Sequence, residues 1–304
     1  MPIDILMATY NGGKYLENQL LSLLGQTYRD WILYIHDDGS DDATLDIIRK
    51  YQDLDTRILL ISDNIRFGNA ARNFMHLLHY STSYYTIFCD QDDIWFETKL
   101  ADLIEKLNMY DDEPCAVFCN GYAYSQEKGI IGDKITKVHP NSLNDFFFLN
   151  AGIQGCSLMF NRRLREKLNV IPNEIAMHDH FLTLGALCFG KLVYLDKHLM
   201  LYRQFHTNKA TTNINYSLKK RLLSFFSRNL PVVDRLHFLA THSFYNSYKN
   251  KLEPKARLLF EAYLRYCNTS SLLKKVMIIG KYGFKLHCSR ILLILKTIVR
   301  PSIK

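Results

Sequence analysis

Between residues 3 and 90, four apolar runs alternate with segments of helical spacing. The runs 3–9 (IDILMAT), 31–36 (WILYIH), 57–62 (RILLIS) and 84–89 (YYTIFC) have strand length and strand composition. Residues 13–25 carry Tyr15, Leu16, Leu20, Leu23 and Leu24 at helical spacing. Residues 42–51 follow Ser40 and Asp41, either of which is suited to cap a helix, and residues 69–80 form a third helical segment. Strands joined by helical crossovers run parallel. The pattern therefore predicts an α/β fold, a mostly parallel sheet with helices on both faces. Ligands of such sheets bind beyond the carboxyl ends of the strands. Each run here ends in a polar cluster: Thr9-Tyr10-Asn11-Gly12, Asp37-Asp38, Asp63-Asn64 and Asp90-Gln91-Asp92-Asp93. Their recurrence at one edge of the sheet carries more weight than any one cluster.

After residue 110 the pattern is less regular. Residues 115–124 and 156–160 read as strands, 178–189 as a helix and 192–203 as a further apolar run, and helices dominate from about residue 215. The 304 residues are 48% hydrophobic and 22% charged, enough for a globular core and unlike a disordered chain. No uncharged apolar run reaches the ~18 residues of a membrane span. Met1-Pro2-Ile3-Asp4 lacks the basic start and apolar stretch of a signal peptide. The seven cysteines are scattered, with a single C-x3-C pair (Cys115, Cys119), so neither a disulfide framework nor a zinc pattern follows. A reducing cytosol is the expected compartment.

The net charge of +8 conceals an asymmetry. Residues 1–205 hold 19 Lys and Arg against 27 Asp and Glu, a balance of −8, whereas residues 206–304 hold 19 against 3, a balance of +16. The acidic part suits metal binding. The basic part suits anionic lipid, nucleic acid or phosphate.

Asp90-Gln91-Asp92-Asp93 is the sharpest chemical signal. Three carboxylates in four residues repel one another unless a cation or solvent relieves them. At a strand end, alternate side chains can converge on a hard cation such as Mg²⁺ or Mn²⁺, which in turn holds a diphosphate. Asp38 could accept the imide N–H of a uracil or thymine ring, with Asp37 in support, while Ser40, Asp41 and Asp42 read as turn and cap residues. Asn11-Gly12-Gly13 forms a tight turn whose N–H groups could meet phosphate or base. His178-Asp179-His180 opens the later helix. Side chains at i and i+2 on a helix diverge, so the two histidines are not joint ligands. Asp179 is either a cap or a general base. Arg203 could clamp a phosphate, and His206 could ligate metal or donate to phosphate. No Ser-His-Asp or Cys-His arrangement stands out.

Ala8-Thr9-Tyr10-Asn11-Gly12, Asp37-Asp38-Gly39-Ser40 and Asp90-Gln91-Asp92-Asp93-Ile94-Trp95, in this order and strand context, resemble a family 2 glycosyltransferase over about residues 1–210. Asn73-Phe74, Gly155-Cys156 and Tyr202-Arg203-Gln204 resemble the bacterial rhamnosyltransferase-like branch that builds surface polysaccharides. The resemblance implies a GT-A fold, a Rossmann-like nucleotide-sugar-binding mixed sheet with helices on both faces. It implies nucleotide-sugar contacts from Thr9, Tyr10, Asn11, Asp38, Asn73, Asp90, Gln91 and Arg203. It further implies Mn²⁺ or Mg²⁺ at Asp92 and Asp93 with His206, and Asp179 as catalytic base. The branch's Arg-Gln-His stands here as Arg203-Gln204-Phe205-His206, which displaces the His by one, and the aromatic that usually follows His-Asp is replaced by His180.

The expected enzyme is thus an inverting, metal-dependent transferase acting at the cytoplasmic face. Its donor is a nucleoside-diphosphate sugar, dTDP-rhamnose by preference and otherwise a UDP-hexose. Its acceptor is a lipid-linked saccharide. Residues 1–210 form the catalytic domain and 211–304 a basic, mainly helical region. Residues 272–304 contain eight Lys and Arg and no acid. On a helix, Leu273, Val276, Met277, Phe284, Ile291, Ile294, Leu295 and Ile298 fall on one side, with Gly280 and Gly283 as interruptions. Such a segment either lies on an anionic membrane or packs on the enzyme or a second copy of it. No nucleic-acid module is present. The rival readings are a nucleotidyltransferase, which needs a basic glycine-rich phosphate loop that residues 8–14 lack, and an inactive sugar- or lipid-binding partner.

Overall fold

The computed structural model describes residues 1–205, 227 and 229–303. They fall into two compact units. One comprises Met1–Lys137, Ile153–Asn169 and Gly190–Thr211, the other Val138–Gly152, Val170–Phe189 and Thr212–Lys304. A single cut near residue 210 assigns Val138–Gly152 and Val170–Phe189 to the sheet, whereas they cluster with the C-terminal helices. The reason is aromatic packing inside that unit. Phe147 stacks on Tyr263 with ring centroids 4.8 Å apart, Phe148 meets Tyr266 edge-on at 4.9 Å, and both contact Phe284.

The first unit is a nine-stranded mixed sheet. Strands β1 (Ile3–Thr9), β2 (Trp31–Asp37), β3 (Ile58–Ile61) and β4 (Tyr85–Asp90) are parallel, in the order β3-β2-β1-β4. Helices α1 (Leu16–Leu24), α2 (Thr44–Leu54) and α3 (Ala70–Leu77) connect them. β5 (Ile94–Trp95) and α4 (Lys99–Asn108) follow the acidic cluster. β6 (Cys115–Ser125) carries the hairpin strand β7 (Gly129–Gly132). β8 (Leu158–Asn161) inserts antiparallel between β4 and β6, and β9 (Lys191–Arg203) runs parallel to β6 and antiparallel to β5. The parallel strands are apolar on both faces: Ile5, Leu6, Met7, Leu33, Ile35, Ile87 and Phe88 are fully buried, as strands covered by helices on both sides must be. In register, Thr9 lies beside Asp37, and Ala8 beside Asp90, so the polar clusters share one edge.

Local chemistry moves three of the expected boundaries. The helix expected over 13–25 begins only at Leu16, and the turn before it is held by Thr44 Oγ1, which accepts the Gly12 N–H at 2.8 Å, and by Asp42 Oδ2, which accepts the Gly13 N–H at 2.9 Å. Neither Ser40 nor Asp41 caps α2. Asp42 Oδ1 takes the Thr44 N–H at 2.9 Å, and the Ser40 hydroxyl is engaged elsewhere. Of 156–160, Gly155–Ser157 is a 3₁₀ turn and only Leu158–Asn161 is strand.

The second unit is helical: Leu143–Phe146, His178–Phe189, Arg235–Tyr248, Pro254–Asn268, Leu272–Tyr282 and Arg290–Val299. Gly280 lies inside its helix rather than interrupting it. Gly283, at φ +68°, is the left-handed residue that ends it. Phe284 is buried instead of joining the outer stripe. Leu273, Met277, Ile291, Leu295 and Ile298 do form an outward stripe, each 48–71% exposed. Among the described residues no helix is long and apolar enough to cross a membrane.

Candidate active site

The loops after β1, β2 and β4 are bound to one another by side chains. Asp37 is the hub of the first two. Its Oδ2 accepts the hydroxyls of Thr9 at 2.8 Å and Ser40 at 2.6 Å, and its Oδ1 accepts the N–H groups of Gly39 at 3.0 Å and Ser40 at 2.8 Å. Asn11 takes the left-handed conformation, at φ +46°. Its N–H donates to Ser40 Oγ at 2.8 Å, and its Oδ1 accepts the Asp41 N–H at 3.0 Å. Gln91 reaches back from β4 and pairs with the backbone of Tyr10. Thr9 and Asn11 therefore hold the site together, while Tyr10 presents its ring outward, 57% exposed. Asp38 accepts the Phe67 N–H, which fastens the loop after β3 to the same edge. An open cleft of about 300 Å³ lies there, lined in part by Asp37, Gly39, Asp63, Asn64 and Arg66.

The acidic cluster sits at the end of β4. Asp90 and Asp93 group with Cys156, their donor atoms within 4.8 Å of one another. Asp92 does not join that group. Asp93 is fully buried: its Oδ1 accepts the Arg203 N–H at 3.1 Å, and its Oδ2 has no hydrogen-bond partner among the described residues. Burial pushes the carboxyls of Asp90 and Asp93 up, Asp93 well above the usual range, with the charges of Asp90 and Asp92 adding to it there. Asp92 is raised to about 7 by burial and then by the charge of Asp90. Burial raises the Cys156 thiol well above its ordinary value, so it is a neutral neighbour of the carboxylates. Two carboxylates with an orphaned buried oxygen fit a hard divalent ion, for which a neutral thiol is a poor ligand.

Two cationic side chains are fixed at this cluster. Arg203 is buried, with Nε donating to the Asp92 carbonyl at 2.8 Å and Nη1 to Gln126 at 3.3 Å. Its guanidinium lies over the rings of Tyr15 and Tyr124, at 4.4 and 5.1 Å. Lys99, 0% exposed at the start of α4, donates to the Cys156 carbonyl at 2.7 Å and lies 3.6 Å from the Trp95 ring centroid. Sequence reasoning missed Lys99. Its signal is a lysine on the apolar face of α4, in line with Leu103 and Leu107.

Asn73 is buried and bonds twice to His36, so its amide supports that residue rather than facing the cleft. Asp63 bridges His36 and His76. Burial opposes its ionisation, but the Ile65 N–H and the two imidazoles outweigh that and hold it at about 2. Asp179 belongs to the helical unit, half-buried in the first turn of His178–Phe189, where its Oδ1 accepts the His180 N–H and its carbonyl accepts the Thr183 hydroxyl at 2.7 Å. His178 and His180 are buried, and burial lowers both to about 3, which keeps them neutral. His206 lies outside the described residues.

The profile of glycosyl transferase family 2 matches residues 4–169. The chain is 32% identical over 236 residues to dTDP-rhamnosyl transferase RfbG of Shigella flexneri, covering 71% of this chain and 78% of that protein. It is 29% identical over 257 residues to TuaG of Bacillus subtilis, named as a glycosyltransferase of teichuronic acid biosynthesis, covering 83% of this chain and 97% of that one. Among solved structures, S. aureus TarS 1–349 in complex with UDP-GlcNAc superposes with a TM-score of 0.56 at 15% identity, covering 93% of this chain and 80% of that one. The mannosyltransferase PcManGT of Pyrobaculum calidifontis, in complex with GDP-Man and Mn²⁺, gives 0.52 at 14% identity, covering 97% and 86%. These structures bear out the GT-A fold. With the profile match, the RfbG similarity and the strand-end acidic cluster in agreement, the chain belongs to glycosyl transferase family 2.

Proposed function

We propose that this glycosyltransferase is metal-dependent and moves a sugar from a nucleoside-diphosphate donor to a growing, lipid-linked bacterial surface polysaccharide. Inversion at the anomeric carbon is general for the family. The observation that carries the donor class is the meeting of Asp37, Asp38, Gln91 and the acidic cluster at one strand edge, with Arg203 fixed against the Asp92 loop. Similarity to RfbG favours dTDP-rhamnose, and a UDP-hexose is the alternative.

Asp90 and Asp93, with Asp92 beside them, would hold Mn²⁺ or Mg²⁺, which when bound offsets charge developing on the departing diphosphate. Arg203 adds a preorganised positive charge next to the cluster. Asp38 would accept the imide N–H of the pyrimidine, and the exposed ring of Tyr10 would face the nucleoside. Thr9 and Asn11 act through Asp37 and Ser40. Asp179 would take the proton of the acceptor hydroxyl as its oxygen bonds to the anomeric carbon and the carbon–diphosphate bond breaks on the opposite face.

The outward stripe of Leu273, Met277, Ile291, Leu295 and Ile298, with Lys274, Lys281 and Arg290 on the same two helices, suits the headgroup region of an anionic membrane, where a lipid-linked acceptor resides. The test is transfer by the full chain to a bacterial lipid extract from dTDP-rhamnose and from UDP-linked glucose, galactose and their N-acetyl forms. Metal-dependent release of one nucleoside diphosphate is expected. Release from none of them, with the donor still bound, would favour an inactive binding partner.

A further inference from the structure

His36 near the end of β2 and Asp63 after β3 line the cleft, and His76 in α3 meets them there from behind Asp63. His36 Nε2 lies 3.1 Å from Asp63 Oδ1, and His76 Nε2 lies 2.6 Å from Asp63 Oδ2. The two imidazoles meet edge-on with centroids 5.0 Å apart, and all three donor atoms lie within 4.8 Å of one another.

Asn73 fixes the tautomer of His36. Its Nδ2 donates to the His36 carbonyl at 3.2 Å, so Oδ1 is the atom facing His36 Nδ1 at 2.8 Å. An amide oxygen only accepts, so Nδ1 carries the proton. In a neutral imidazole that leaves a lone pair on Nε2, and it points at a carboxylate oxygen. Opposed lone pairs at 3.1 Å, on a histidine that is 1% exposed, require a cation between them. The cation is either a second proton or a metal ion.

We infer that His36, Asp63 and His76 form a binding site for a Zn²⁺-class ion, separate from the acidic cluster. Two imidazole nitrogens and a carboxylate are a common three-ligand set for zinc. A buried acceptor on the far nitrogen of a ligating histidine is the support such sites use, and Asn73 supplies it. Tetrahedral coordination at ~2.1 Å puts ligand atoms about 3.4 Å apart, so His36 need draw back from Asp63 by about 0.3 Å and His76 by about 0.8 Å. His76 and Asp63 are partly exposed at their side chains, 18% and 22%, which leaves a path from solvent for the ion and for a fourth ligand. Arg49, Arg66 and Asp37 line the same cleft, so net charge does not draw the ion in. Imidazole affinity does, and it selects zinc over magnesium. The bound ion would tie β2, α3 and the loop after β3 into one unit, whichever donor the enzyme uses.

The test is calorimetric titration of chelator-stripped, full-length protein with Zn²⁺ in saturating Mg²⁺, with Co²⁺ as an absorbance probe. One Zn²⁺ per chain is expected, together with visible Co²⁺ d–d bands. His76→Gln should weaken Zn²⁺ on the order of 100-fold, Asn73→Ser by about 10–100-fold, and Asp93→Asn not at all. No Zn²⁺ uptake by the folded wild type would overturn the site and leave a proton between His36 and Asp63. Equal uptake by wild type and His76→Gln would overturn it as well.

Discussion

The side-chain amide of Gln91 pairs with both backbone groups of Tyr10, accepting its N–H at 3.0 Å and donating to its carbonyl at 2.9 Å. This two-point contact joins the end of β4 to the end of β1. It also explains Gly12, where a Cβ would fall 2.2 Å from Gln91 Oε1. Gly12→Ala and Gln91→Ala should each weaken nucleotide binding about tenfold, while losing about 1 kcal/mol of stability as one or two hydrogen bonds go. Calorimetry and thermal melts check the pair. Wild-type nucleotide affinity in both variants would separate this contact from the donor site.

The acidic cluster predicts a specific pH dependence. A carboxyl whose folded pKa lies above its unfolded value holds an extra proton in the folded state, so its contribution to stability falls as pH rises from about 4 to about 7 for Asp92. The buried His178 and His180 act in the opposite sense below pH 6.5, so the comparison is with Asp92→Asn rather than with absolute stability. Relative to the metal-free wild type, Asp92→Asn should gain stability across that window and level off above it. Denaturant melts at four or five pH values measure the difference, and a flat difference would refute the raised carboxyl.

Asp179→Asn should lower the transfer rate by the ~10²–10⁴-fold that a general base contributes, with donor affinity unchanged. Rapid-quench transfer and donor calorimetry on the same preparation read the two quantities. Loss of donor binding would give Asp179 a different role.

Leu273→Asp combined with Ile291→Asp replaces two outward apolar side chains that are 69% and 71% exposed. Folding should be little affected, because neither is in the core. Binding to anionic vesicles should fall at least tenfold, with transfer to a soluble saccharide acceptor preserved. Unchanged vesicle binding would assign the stripe to another partner.

The parallel half of the sheet was legible because its strands and helices are local and periodic. The runs at 3–9 and 31–36 and the helix at 178–189 match their elements to within a residue. The acidic cluster was legible because its members are adjacent in sequence. What escaped were contacts between distant segments. Asp37 rather than Asp38 organises the first two loops because Thr9, 28 residues away, donates to it. The metal grouping contains Asp90 and Cys156 because β8 inserts beside β4, a pairing no local pattern encodes. His36, Asp63 and His76 span forty residues and carry no spacing signature. Val138–Gly152 leaves the sheet unit because its phenylalanines pack on helices more than a hundred residues later.

A metal-dependent nucleoside-diphosphate site at the strand edge is open to one decisive measurement, thermal melts with dTDP, UDP, GDP, ADP and CDP, with and without Mn²⁺. A ligand at 100 times its Kd adds about 2.7 kcal/mol, which such melts resolve. Such a site predicts stabilisation by dTDP or UDP that requires Mn²⁺, vanishes with EDTA and is lost in Asp93→Asn. Equal stabilisation with and without Mn²⁺, or none by any diphosphate, would contradict it.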